Sequence, residues 1–174
     1  MNYLNNAIKI FGNYKSLADK AMAQVEDDQL FWQPNEESNS IATIVKHMWG
    51  NMLSRWTNFL EEDGEKEWRN RDSEFEMGWN TRLELISKWE EGWQVLFEAL
   101  NSITDEDLER TVYIRAEPHT VLDAVNRQIA HYASHAGQII YIAKMLKNDN
   151  WQSLSIPRNQ SQAFNKQMFE KGKQ

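Results

Sequence analysis

The stretch RQIAHYASHAGQII, residues 127–140, holds two of the chain's four histidines, His131 and His135, four positions apart in an apolar run without proline. On a helix, residues so spaced share a face, with Cβ atoms about 5–6 Å apart, so both imidazoles can be aimed at one ion. The same spacing also suits two core-edge histidines, because a buried imidazole needs only a carbonyl or a water as partner. His47 tips the balance. It lies beside Ile44 and Met48 in a separate helical pattern, where a solvated position would carry Lys or Glu. One histidine there and two here would make a three-His site with open positions, the pattern of a catalytic metal centre assembled from facing helices.

Two other metal chemistries lose their support. Tyr132 stands where a zinc protease of the HExxH kind places its general-base Glu, and Ile44 and Gln128 occupy the positions three before His47 and His131 where a di-iron bundle needs Glu. His119 follows Pro118 just ahead of a helix and is read as an exposed or capping residue. Helical geometry makes Asn51, one turn after His47, and Gln138, one turn beyond the histidine pair, candidates for orienting a ligand or water. Arg127, one turn before His131, is a candidate for a substrate carboxylate. Each of the three also fits an ordinary solvated or capping side chain. Trp49 and Trp56 suit a pocket wall, the core or a dimer contact. No residue is assigned a catalytic role by its pattern alone.

Four segments with three-and-four apolar spacing must carry these groups. The first runs through Leu4, Ile8, Phe11, Leu17, Met22 and Val25 and ends by Asp27 and Asp28. A connector containing Pro34 leads to Ser40, an N-cap for the helix of Ile41, Ile44, Val45, Met48, Met52, Trp56, Phe59 and Leu60 that bears His47. Residues 61–78, EEDGEKEWRNRDSEFEMG, are highly charged and read as a long crossover or a partly ordered loop. Thr81 and Glu84, at capping-box spacing, open a third helix that reaches about Ser102. TVYIRAEPH alternates Val112 and Ile114 with polar neighbours, as a short strand or extended chain would. Thr120 and Asp123 then cap a fourth helix from about Val121 to Lys147, which bears the histidine pair. From about residue 148 a tail holds enough apolar side chains to pack on the rest. The pattern is that of an all-α four-helix bundle with a long connector between helices 2 and 3, in one domain spanning residues 1–174.

The composition agrees with that reading and narrows the chemistry. Eight Trp against three Pro and seven Gly in 174 residues favour long helices over turn-rich sheets. With no cysteine, the chain has no disulfide, no thiolate metal ligand and no cysteine nucleophile, so any thiol chemistry needs a thiol from outside. A net charge of −7, without a dense Lys/Arg run, opposes nucleic-acid binding. Neither a secretory signal nor an apolar run long enough for a membrane is present, so a cytoplasmic protein is expected.

The stretches NSIATIVKHMWGNMLSRWTNFLEEDGE, RQIAHYASHAGQIIYIAK and LSIPRNQSQAFN, in that order, resemble the DUF1572 branch of the DinB-like superfamily of metal-binding bundles. The resemblance implies an up-down-down-up bundle, frequent homodimers and a divalent transition ion, zinc or nickel, held by His47, His131 and His135. Three neutral imidazoles by themselves suit zinc, nickel, copper and iron alike. It also implies an activity, since characterised relatives include S-transferases that use bacillithiol, mycothiol or glutathione, and DinB-like proteins are often linked to stress responses. The partners expected on that basis are a small-molecule thiol and an electrophile. A metal-dependent hydrolase and a non-catalytic metal- or ligand-binding bundle are the alternatives.

Overall fold

The computed structural model describes residues 2–76 and 78–172, most of them helical. Four long helices, α1 (Tyr3–Met22), α2 (Ile41–Trp56), α3 (Arg82–Ser102) and α4 (Val121–Lys147), are followed by a shorter α5 (Ser161–Lys171). Their starts are set locally. The side chains of Asn2, Ser40, Thr81 and Thr120 accept from the backbone N–H groups of Asn5, Thr43, Glu84 and Asp123, donors that the first helical turn leaves free. Among the described residues no helix is long and apolar enough to cross a membrane.

The long helices pack α1 against α4 and α2 against α3, with further contacts between α2 and α4 and between α1 and α3. At the centre, one aromatic ring or more comes from each. Phe11 of α1 lies 6.2 Å from Trp56 of α2, 6.4 Å from Trp93 of α3 and 5.9 Å from Tyr132 of α4, centroid to centroid. All four are buried, and the mainly tilted and edge-on geometry is the one that ring quadrupoles favour. Tyr132 is thus a core residue, and its hydroxyl is satisfied there: it donates to Asn51 Oδ1 at 2.8 Å and accepts from Trp56 Nε1 at 3.2 Å.

Three segments depart from the sequence pattern. Helix α2 ends at Trp56, although apolar spacing continues to Leu60, because Asn58 takes a left-handed φ of 49° and the chain turns, leaving Phe59 and Leu60 to pack on the core from outside the helix. TVYIRAEPH forms a two-stranded antiparallel hairpin, β1 (Thr111–Ile114) and β2 (Glu117–Thr120), closed by Arg115 and Ala116 at φ 57° and 62°. In the tail, Trp151 and Leu154 pack on the core, whereas α5 has no buried residue and exposes Phe164, Met168 and Phe169.

The connector between α2 and α3 is tied down. Lys46 Nζ on α2 donates to the carbonyls of Ser73 and Glu76 at 2.7 and 2.8 Å, and Ser54 Oγ donates to the Gly64 carbonyl at 2.7 Å. Asp63 takes the N–H groups of Arg115 and Ala116, which fastens the hairpin to the same segment. These bonds hold a single helical turn, Asp72–Phe75, against α2 on the His47 face.

Candidate metal centre

His47 projects from α2 and His131 and His135 from α4, and one nitrogen of each ring lies within 4.8 Å of the other two. His131 Nε2 is 3.0 Å from His135 Nε2 and 3.4 Å from His47 Nε2. Tetrahedral coordination with metal–nitrogen bonds of about 2.0–2.1 Å places ligand atoms about 3.3 Å apart, so these separations match the edge of such a tetrahedron.

The opposite side of each ring fixes which nitrogen is free. His47 Nδ1 donates to Glu74 Oε2 at 2.8 Å, and the Nδ1 atoms of His131 and His135 face Oε1 of Gln128 and Gln138 at 3.3 and 2.7 Å. Carboxylate and amide oxygens only accept, so the Nδ1 positions carry the protons and three Nε2 lone pairs converge. A proton is a poor occupant. Burial, reinforced by His135 and His47, pushes His131 down to about 3, and burial likewise lowers His135. A divalent ion with an affinity for neutral imidazole fits this donor set.

Glu74 is the support that the sequence pattern does not reveal. Only 4% exposed, it sits in the tethered turn of the connector and also accepts from Arg69 Nε at 2.7 Å and Nη2 at 3.0 Å. Burial opposes its ionisation, but the His47 and Arg69 donors outweigh this and hold its carboxyl below the ordinary range. Room for it depends on Gly50, one turn before Ser54 on α2: a Cβ there would stand 2.8 Å from the Glu74 carboxyl carbon. Phe75, next in the turn, stacks on the His47 ring with centroids 5.2 Å apart.

Beside the histidines lies a cavity of about 240 Å³, walled in part by His47, His131, Asn51 and Gln128. Five arginines complete it: Arg55 from α2, Arg69 and Arg71 from the connector, Arg115 from the hairpin turn and Arg127 from α4. Of the side chains singled out from the sequence, Gln138 therefore meets His135, Arg127 lines the cavity, and Asn51 lines it while bonded to Tyr132. Trp56 is in the core, and Trp49 bonds to Glu91 on α3, away from the cavity wall. His119 pairs with Asp123 at 2.6 Å and takes no part in the cluster. The remaining arginines gave no signal in the sequence: Arg69 and Arg71 lie in a charged connector, which reads as a solvated one, and Arg55 and Arg115 are single charges within a helix and a turn.

Fold and site together define a mainly helical protein with a three-histidine group able to hold a metal ion. Residues 1–160 match the DUF1572 family, described as proteins of unknown function, and the chain belongs to that family. Searches of curated proteins and of solved structures give no match.

Proposed function

We propose that this chain is a metal-dependent enzyme of the DinB-like kind, an S-transferase that joins an external low-molecular-weight thiol to an electrophile. The observation that carries the reading is the gathering of three imidazole nitrogens within 4.8 Å of one another beside a cavity that His47 and His131 line. On this reading the four long helices are an up-down-down-up bundle, and the ion is zinc or nickel. A bound divalent ion supplies Lewis acidity, lowering the pKa of a thiol from its ordinary value of about 8.5 so that the nucleophilic thiolate is present at neutral pH. The thiol must come from outside, because the chain has no cysteine.

The chain's own part is to hold and orient. His47, His131 and His135 are the ligands. Glu74, Gln128 and Gln138 keep the protons at Nδ1 and the Nε2 atoms free, which raises ligand basicity and fixes ring orientation. Asn51, held by Tyr132, and Arg127 face a small substrate. Tyr141 and Met145, exposed on α4, support a homodimer contact.

The test is thiol consumption. Protein loaded with zinc or nickel is given a panel of low-molecular-weight thiols and a chlorobimane electrophile. Conjugation that requires the metal and disappears in His131→Ala is expected. If no thiol is consumed while the protein carries metal, the transferase reading fails. Ester hydrolysis by the same preparation would then favour a hydrolase, and inactivity in both assays a binding protein.

A further inference from the structure

The cavity beside the three histidines is positively charged in a protein whose net charge is −7. Five guanidinium groups line it, and two carboxylates pair with them. Glu65 is shared by Arg55, Arg69 and Arg115 at 3.2–3.3 Å, and Glu74 pairs with Arg69 at 2.7 Å. The next acid, Asp63, is occupied by the backbone N–H groups of Glu65, Arg115 and Ala116.

The pairing leaves donors over. The side chains of Arg71 and Arg127 have no hydrogen bond or ion pair among the described residues; that of Arg71 only overlies the Phe75 ring, 5.1 Å from its centroid. Arg55 is buried at 5% exposure, yet its Nε has no hydrogen-bond partner. Burial, with Arg69 and Arg127 adding to it against Glu65, makes the charged form of Arg55 harder to hold. Arg55 therefore adds positive charge beside the cavity, and the free donors are those of Arg71 and Arg127.

We infer that this cavity binds a small dianionic substrate, with a phosphate or two carboxylates as the recognised groups, through the free guanidinium groups of Arg71 and Arg127, with the charge of Arg55 beside them. The planar fork of arginine matches both acids in bidentate fashion, which a lysine cluster would not. A volume of about 240 Å³ suits a molecule of metabolite size. The inference deepens the proposed function, on which it rests in taking the cavity as the substrate site.

Isothermal titration of zinc-loaded protein with inorganic phosphate and, separately, with succinate tests it. Saturable binding of at least one probe is expected, and which of the two binds tells phosphate from dicarboxylate recognition. The double variant R71Q/R127Q removes two exposed side chains that have no ion pair to lose, and should weaken binding about tenfold or more while metal uptake is unchanged. K9Q/K166Q removes the same charge from exposed lysines outside the cavity and should leave binding within about twofold of the parent. Binding of neither probe, or an equal loss in both double variants, overturns the inference while leaving the metal reading intact. If the protein takes up no metal, the same titrations on the metal-free chain decide the inference alone, because the arginines predict the same order of variants.

Discussion

Glu74→Gln changes one oxygen to an amide nitrogen at the point where the connector supports the metal ligands. In the parent, the carboxylate accepts from His47 Nδ1 at 2.8 Å and from Arg69 Nε and Nη2 at 2.7 and 3.0 Å. The amide has a single acceptor oxygen and no charge, so it cannot reproduce all three bonds: with that oxygen toward His47, its NH2 group meets the Arg69 Nε–H donor against donor. Two losses follow. Removing a carboxylate that orients a ligating histidine typically costs about 10–100-fold in metal affinity, or about 1.4–2.7 kcal/mol. Removing one partner of a buried ion pair costs about 3–5 kcal/mol of stability; here the lower end applies, because Arg69 keeps Glu65 at 3.2 Å. Metal affinity is read by competition with a chromophoric chelator, well below the melting temperature, with near-ultraviolet circular dichroism confirming that the tryptophan core is intact. Unfolding by urea reads the stability. A folded Glu74→Gln protein that binds metal within about twofold of the parent would refute the role given to Glu74.

Three further outcomes follow from particular contacts. Gly50→Ala places a Cβ 2.8 Å from the Glu74 carboxyl carbon and must displace it, so chelator competition should show a loss of metal affinity of about tenfold without any change to a ligand. Tyr132→Phe strands Asn51 Oδ1 and Trp56 Nε1 in the core and should lower stability by about 1–3 kcal/mol in a urea titration, while metal uptake stays near one ion per chain. The third concerns pH in the metal-free protein. His131 titrates at about 3 when folded but near 6.5 when unfolded, so between these values the unfolded chain binds the extra proton; its contribution is intact above 6.5 and is lost as pH falls toward 3. With allowance for the solvent that reaches the half-buried ring, denaturation should show a loss of about 1 kcal/mol from pH 7 to pH 5. His131→Gln should flatten that slope.

What the sequence made legible was local or periodic. The caps at Ser40, Thr81 and Thr120 could be read because each side chain bonds within three residues, and α4 keeps the bounds its pattern sets. The histidines could be placed because helical spacing puts His131 and His135 on one face and His47 beside an apolar stripe. Glu74 and four of the five arginines escaped notice. Residues 61–78 have no period, and the position of their turn is decided by Lys46, Ser54 and Arg55 on α2, bonds that no spacing rule encodes. Helix α2 stops four residues before its apolar pattern does because the left-handed Asn58 turns the chain, and apolar residues beyond a turn can still reach the core. Tyr132, read from the sequence only as what the site lacks, is the buried hub that links all four long helices.

His47, His131 and His135 are expected to hold one divalent ion between them. Elemental analysis of protein purified without chelator and then titrated with zinc and nickel tests it most directly. Uptake of about one ion per chain is expected in the parent and loss of uptake in His131→Ala, with the variant still folded by circular dichroism. Retention of a full equivalent by that variant, or no uptake by the parent with either ion, would contradict it.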